Sequence, residues 1–220
     1  MVQRYFLFDW DGTLVDSTPL HAWAFGQTLA SAAPYCLAAF DYELLKGLST
    51  RNAFAKLGIE DSGQLQWCIA QKQRLYREAV AAGRLKEHAG ARALLHTVLE
   101  HSGHNFLVSS SSADSVNLAL DQLDLRVFFN GTITADDVLA GKPSPESYVA
   151  CLRRFGLSSP AAIAVEDARS GVVAAKGAGL RVIGVHNPGI LDVADFYFPN
   201  LVALDSALRE RDQRFWCDPL

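Results

Sequence analysis

Asp9 and Asp11 stand one residue apart in FLFDWDGTLVDS, at the end of an apolar run. Like charges this close repel, and burying them is costly without cations or hydrogen bonds. Asp and Gly are also common turn residues, so a plain turn is the competing explanation. Alternate side chains of extended backbone point the same way, which lets both carboxylates reach one phosphorus. One of such a pair can attack as a nucleophile. The other can protonate the leaving oxygen and then activate water. Three more stretches carry complementary groups: the hydroxyls Ser109 to Ser112 in NFLVSSSS, Lys142 in AGKPSPE, and Glu166 and Asp167 in IAVED. Carboxylates converging on one point call for a hard divalent cation, and Mg²⁺ favours a few carboxylates together with substrate phosphate. An ammonium and hydroxyls beside it suit an anionic ligand, most simply a phosphoryl group.

These groups need a scaffold that gathers them. RYFLF reads as a short buried strand. From Thr18 to Arg84 strand-like runs are absent. HAWAFGQTLASAA and QLQWCIAQKQRLYREAVAAG read as helices with an apolar stripe, the second stopped at Gly83. After Gly90 the pattern alternates. ARALLHTVLEHSG is a helix stopped by Gly103, NFLVSS a strand, SADSVNLALDQLDL a capped helix, and FNGTITADD holds a short strand. SPESYVACLRRFG is a helix, AAIAVEDA a strand, SGVVAAKGAG a helix and LRVIGVH a strand. Such alternation implies an α/β fold, a Rossmann-like parallel sheet with helices on both faces, carrying a helical insert after its first strand. In open sheets of this kind ligands sit at the carboxyl ends of the strands, where all the groups above fall.

At 220 residues, half of them apolar and one fifth charged, the chain can bury a substantial core. The net charge of −4 gives no basic face for nucleic acid. No N-terminal signal segment and no stretch of about 20 apolar residues is read, so no membrane association is expected. Cys36, Cys68, Cys151 and Cys217 are scattered without a CxxC pair, which suits reduced thiols and a cytoplasmic location.

DWDGT, the Ser109 strand end, GKP at 141–143 and ED at 166–167 together resemble, in order and spacing, the four motifs of the haloacid dehalogenase superfamily. The resemblance covers nearly the whole chain. EDARSGVVAAKGAGL is similar to the branch containing sugar-phosphate phosphatases and β-phosphoglucomutase. The resemblance implies a core of residues 1–16 and 86–220 and a helical cap of 17–85, with LVDS marking the hinge. It implies Asp9 as the nucleophile that becomes an aspartyl-phosphate. Asp11 would be the general acid/base, with its backbone carbonyl on Mg²⁺. Glu166 and Asp167 would complete the metal site with Asp9. Ser109 and Lys142 would hold the phosphoryl oxygens, joined by Ser110, Gly12 and Thr13 in the phosphate-binding loops. Members that cleave carbon–halogen bonds or phosphonates lack an aspartate at the second position, so Asp11 favours phosphate esters.

The cap of this branch reads the leaving group. His21, the Lys46–Gly47 pair and Lys72 resemble positions near the substrate of β-phosphoglucomutase, and Arg51 could bind a sugar or second phosphate, one residue out of the mutase register. Gly47 and Arg51 fall in an expected turn between helices. His96, His101 and His104 read as a solvated turn and not as metal ligands. Gly177 and Gly179 end a helix, so they are no dinucleotide fingerprint. Trp10 points away from its two aspartate neighbours. The expected activity is that of a Mg²⁺-dependent phosphatase of a small phosphorylated metabolite, a sugar phosphate in the first instance. The alternatives are a phosphosugar mutase of the same chemistry and a non-catalytic binding module. No oligomeric state follows, and a monomer is compatible with the sequence.

Overall fold

The computed structural model describes residues 4–210 and 213–216. Its centre is a six-stranded sheet in the order β3-β2-β1-β4-β5-β6. The strands are β1 (Arg4–Phe8), β2 (Gly103–Val108), β3 (Gly131–Ile133), β4 (Ala162–Glu166), β5 (Arg181–Val185) and β6 (Phe196–Phe198). Every neighbouring pair is parallel. Parallel strands need crossovers, and those crossovers bury both faces of the sheet. Phe6, Phe8, Leu107, Val165 and Ile183 face one layer, made by α4 (Ala91–Glu100), α5 (Ala113–Gln122) and α8 (Leu201–Arg209). Leu7, Phe106, Val108, Ala164 and Val182 face the other, made by α6 (Glu146–Phe155) and α7 (Arg169–Gly177). Alternation along β1, with Phe6 and Phe8 on one side and Leu7 on the other, joins both layers to one sheet.

The strand order reverses at β1. From β1 the chain steps outward through β2 to β3, then returns to place β4 on the other side. The crevice of such a switch point lies beyond the carboxyl ends of the two strands that flank it. Here those ends deliver Asp9 and the Glu166–Asp167 pair.

Between β1 and α4 the chain makes the helical insert, with α1 (Thr18–Ala32), α2 (Thr50–Lys56) and α3 (Ser62–Ala81). Its upper part has its own apolar cluster, including Phe25, Leu29, Phe54, Ile59 and Cys68. The lower ends of α1 and α3 instead share the main core through Leu20, Ala24, Tyr76, Ala79 and Val80. Two connecting segments run side by side: Val15 bridges Glu87 in antiparallel fashion. The Asp16 N–H donates to the Lys86 carbonyl at 2.9 Å, and the His88 N–H to that of Leu14 at 2.8 Å.

Several elements differ from the sequence expectation. The helix expected to stop at Gly103 ends at Glu100, the turn falls at Ser102 (φ 61°), and Gly103 already pairs with Arg4 as the first residue of β2. Arg51 lies in the first turn of α2, capped by Ser49 accepting from the Asn52 N–H, and not in a loop. A helix of seven residues is too short to show a clear apolar period. β6 and α8 were not read from the pattern, and neither was α9 (Gln213–Trp216). Cys36, Cys68 and Cys151 are buried free thiols, and Cys217 lies outside the described residues. No helix among the described residues is long and apolar enough to cross a membrane.

Candidate active site

β1 continues past its last ladder residue. The Asp9 N–H donates to the Val165 carbonyl at 3.0 Å, which fixes Asp9 at the mouth of β4 with 5 % exposure. Trp10 turns into the core, 1 % exposed, as alternation along the strand predicts. A tight loop follows, in which Gly12 donates to the Val15 carbonyl at 2.9 Å. Gly12 has φ +90°, and a Cβ there would collide with the Asp167 carboxylate. Both facts restrict the position to glycine. Thr13 Oγ1 donates to Asp167 Oδ1 at 3.2 Å, tying the loop to the end of β4.

Lys142 is the pivot of the buried charges. Its ammonium donates to Asp9 Oδ1 and to Glu166 Oε1, each at 2.6 Å, and to the Val108 carbonyl at 3.1 Å. Lys142 and Glu166 are each 1 % exposed. Burial opposes the ammonium, but Asp9 and Glu166 outweigh it and hold its pKa above the usual lysine range. Tyr148 in α6 donates from its hydroxyl to the same Glu166 Oε1 at 2.6 Å. Glu166 Oε2 is buried with no hydrogen-bond partner among the described residues. Burial first, then the Glu166 charge, raise Asp9 well above the ordinary carboxylate range and push Asp167 up to about 7. Carboxylate oxygens of Asp9, Glu166 and Asp167 lie within 4.8 Å of one another, the one group of metal-ligating side chains found among the described residues. A buried orphan oxygen in a triad of crowded carboxylates is the donor set a hard divalent cation requires, so the residues present fit Mg²⁺.

Asp11 lines the same cavity as Asp9 but has different partners. His21 and Ser111 donate to its two oxygens, from Nε2 to Oδ1 at 2.8 Å and from Oγ to Oδ2 at 2.7 Å. Tyr76 adds a longer bond to Oδ1 at 3.4 Å. Burial would raise Asp11, but the imidazole and the hydroxyl donors prevail and hold it well below the carboxylate range. Lys72 Nζ lies 2.8 Å from His21 Nδ1. Burial and the Lys72 charge lower the His21 pKa, so the ring is neutral, accepts at Nδ1 and donates at Nε2. Burial lowers Lys72 to about 8. Two carboxylates one residue apart thus occupy opposite environments.

Over them the insert is shut. A cavity of about 20 Å³ is enclosed between Asp9, Asp11, Ser110 and Ser111 below and the helical residues above. The upper wall consists of His21, Phe25, Tyr42, Leu45, Gly47, Leu48, Thr50 and Lys72. That volume is room for roughly one water. Two hydroxyls latch the closure: Ser110 Oγ donates to the Gly47 carbonyl at 3.0 Å, and Ser170 Oγ to that of Lys46 at 3.2 Å. Gly47 has φ +75°, and a Cβ would strike Ser170 Oγ.

Of the residues expected from sequence, Asp9, Asp11, Ser110, His21, Gly47 and Lys72 line this cavity. Lys142, Glu166 and Asp167 stand behind Asp9, with Gly12 and Thr13 packed on Asp167. Ser109 is buried beneath the cavity and its Oγ accepts from the Ser111 N–H at 3.0 Å. Arg51 is exposed and lines a separate groove of about 240 Å³ with Ser110 and Ser112, so the structure does not bring it to the enclosed cavity. His96 pairs with Glu100, His101 bonds the Thr97 carbonyl and His104 packs on Tyr5. Sequence reasoning missed Tyr42, Thr50, Tyr76 and Tyr148. Ser111 was seen only as part of a hydroxyl run.

A family profile described as haloacid dehalogenase-like hydrolase matches residues 6–185. A phosphorylated carbohydrates phosphatase of Thermotoga maritima is 31 % identical over 187 residues, covering 81 % of this chain and 83 % of that protein. Hexitol phosphatase A of Escherichia coli is 32 % identical over 187 residues, covering 83 % of each. A solved β-phosphoglucomutase of Clostridium difficile superposes with a TM-score of 0.79 at 19 % identity, covering 96 % of this chain and 99 % of that one.

Proposed function

Because the chain belongs to the haloacid dehalogenase-like hydrolases, we propose that it is a Mg²⁺-dependent phosphatase of a small phosphorylated carbohydrate, acting through an aspartyl-phosphate. It is a phosphoric monoester hydrolase, as its phosphatase relatives are named. The observation that carries the detailed reading is the division between Asp9 and Asp11. Asp9 is held by Lys142 through Oδ1 alone, which leaves Oδ2 with no bond among the described residues. That oxygen attacks phosphorus while the bond to the leaving oxygen breaks. Asp11 governs the proton: His21 donates to it, and Lys72 stands behind His21 to replace what His21 gives up. The leaving oxygen departs protonated. Asp11, again a carboxylate, then takes a proton from water, which attacks the acyl phosphate and frees Asp9. Ser109, Ser110 and Lys142 would hold phosphoryl oxygens during both steps. Mg²⁺, held by Asp9, Glu166, Asp167 and the Asp11 carbonyl, would offset the carboxylate charge and polarise the phosphoryl group.

The closed insert keeps bulk water out during the first step. The likeness to a β-phosphoglucomutase is one of fold, so hydrolysis is the reading retained over phosphoryl return to a sugar. A binding module would have no need of an ammonium bridging two buried carboxylates. Replacing Asp9 by Asn tests the reading. Phosphate release from an aryl phosphate with Mg²⁺ should fall to background in D9N. Turnover within about tenfold of wild type would exclude Asp9 as nucleophile.

A further inference from the structure

Tyr42 lies in a short 3₁₀ turn, Tyr42–Leu45, of the insert. The turn is set from both ends: Asp41 Oδ1 accepts from the Glu43 N–H at 3.0 Å, and Leu45 is buried in the insert's cluster. The ring packs on His21, with centroids 6.0 Å apart at 23°, and on Phe25 at 5.8 Å and 38°. The side chain lines the enclosed cavity with Asp9 and Asp11. A tyrosine in such a place normally finds a partner for its hydroxyl. None is found for Tyr42 among the described residues, although Tyr76 and Tyr148 nearby both donate to carboxylates. A phenol is protonated at neutral pH, and burial and the Asp11 charge push Tyr42 further up, so it can serve as a donor.

We propose that Tyr42 determines specificity by donating a hydrogen bond to a substrate oxygen beyond the ester linkage, with the Tyr42 and Phe25 rings packing on the carbon skeleton. The inference rests on the phosphatase reading and narrows its substrate to a polyol or sugar phosphate with a hydroxyl near the esterified carbon. Its basis is the layering of the cavity. The phosphoryl group belongs to the floor, at Asp9 and the serine loop. Whatever hangs from the leaving oxygen must therefore extend toward the roof, where Phe25, Tyr42, Leu45 and Leu48 offer apolar surface and Tyr42 an unpaired donor. Tyr42 is half-buried here, and a substrate seated against it would shut water away from its hydroxyl. An unmade hydrogen bond is then costly, so the site discriminates against substrates without the acceptor.

The test compares wild type and Y42F, which keeps the ring, on a hexitol phosphate and on phenyl phosphate, whose leaving group has no hydroxyl. Y42F should lose about 2- to 10-fold in kcat/KM on the hexitol phosphate, mostly through KM, and less than about 2-fold on phenyl phosphate, with an unchanged melting temperature. Equal losses on both substrates would place the hydroxyl on the phosphoryl group or on cap closure and overturn the proposal. No loss on either would overturn it too. Failure of the phosphatase reading is distinct: the wild type itself would then release phosphate from neither compound.

Discussion

Replacing Lys142 by Met removes one ammonium and keeps the aliphatic stem. In the folded protein that ammonium satisfies Asp9 and Glu166 at 2.6 Å each, in a place 1 % exposed to solvent. Breaking a buried ion pair by deleting one partner costs about 3–5 kcal/mol, because the remaining charge is stranded. Two carboxylates are stranded here, but one can escape by taking a proton. Asp9 already titrates well above the carboxylate range, and losing the cation raises it further. A carboxyl whose folded pKa exceeds its unfolded value contributes stability at low pH that is lost as pH rises through the folded pKa. The K142M deficit should therefore be small near pH 5 and reach about 3–5 kcal/mol near pH 8 in metal-free buffer. In a chain of this size that is about 6–20 °C of melting temperature. Mg²⁺ should recover part of it by replacing the missing positive charge, while turnover stays lost. Calorimetric melting of wild type and variant across pH, with chelator and with Mg²⁺, measures each quantity. A variant as stable as wild type at pH 8 without metal would refute the assignment of Lys142 as the counter-charge of the site.

Gly12→Ala forces a methyl group into the Asp167 carboxylate at φ +90°. It should lower stability by about 1–3 kcal/mol and weaken Mg²⁺ binding, read by thermal melting and titration calorimetry. Glu166→Gln keeps the shape of the triad and removes one charge. Calorimetry should show at least tenfold weaker Mg²⁺ binding, and unchanged affinity would place the ion elsewhere. Lys72 has a pKa lowered to about 8, so its ammonium is lost as pH rises through that value. The alkaline limb of kcat/KM should fall near pH 8 in wild type and be absent from K72M, whose activity is low throughout.

Which parts of this were legible in the sequence follows from where each signal resides. Asp9, Lys142, Glu166 and Asp167 follow short apolar runs or sit in the loop after one, and a parallel sheet forces such ends together. Trp10 could be oriented by alternation alone. His21 and Lys72 were singled out by resemblance to substrate-side positions of β-phosphoglucomutase, but their rotation toward Asp11 depends on how α1 and α3 pack and has no signal in the helix pattern itself. Tyr148 reads as part of the apolar stripe of α6, and only the depth of Glu166 in β4 shows its hydroxyl to be a donor. Tyr42 and Arg51 lie in elements of four and seven residues, too short for periodicity to settle which way a side chain points. The three-residue strand β6 gives no more signal than a loop.

The pairing of Val15 with Glu87 has a consequence for how specificity can change over time. The chain leaves the sheet and returns to it across a single rung, so everything between is a loop whose ends already touch. Lengthening such a loop costs little, about 0.6 kcal/mol for each doubling. A recombination event that exchanged the whole stretch between Asp16 and Lys86 would leave every strand register intact. Asp9, Lys142, Glu166 and Asp167 all lie outside that stretch, so a new lid would keep this buried charge cluster, while the His21–Lys72 pair that faces Asp11 would have to be supplied by the incoming segment.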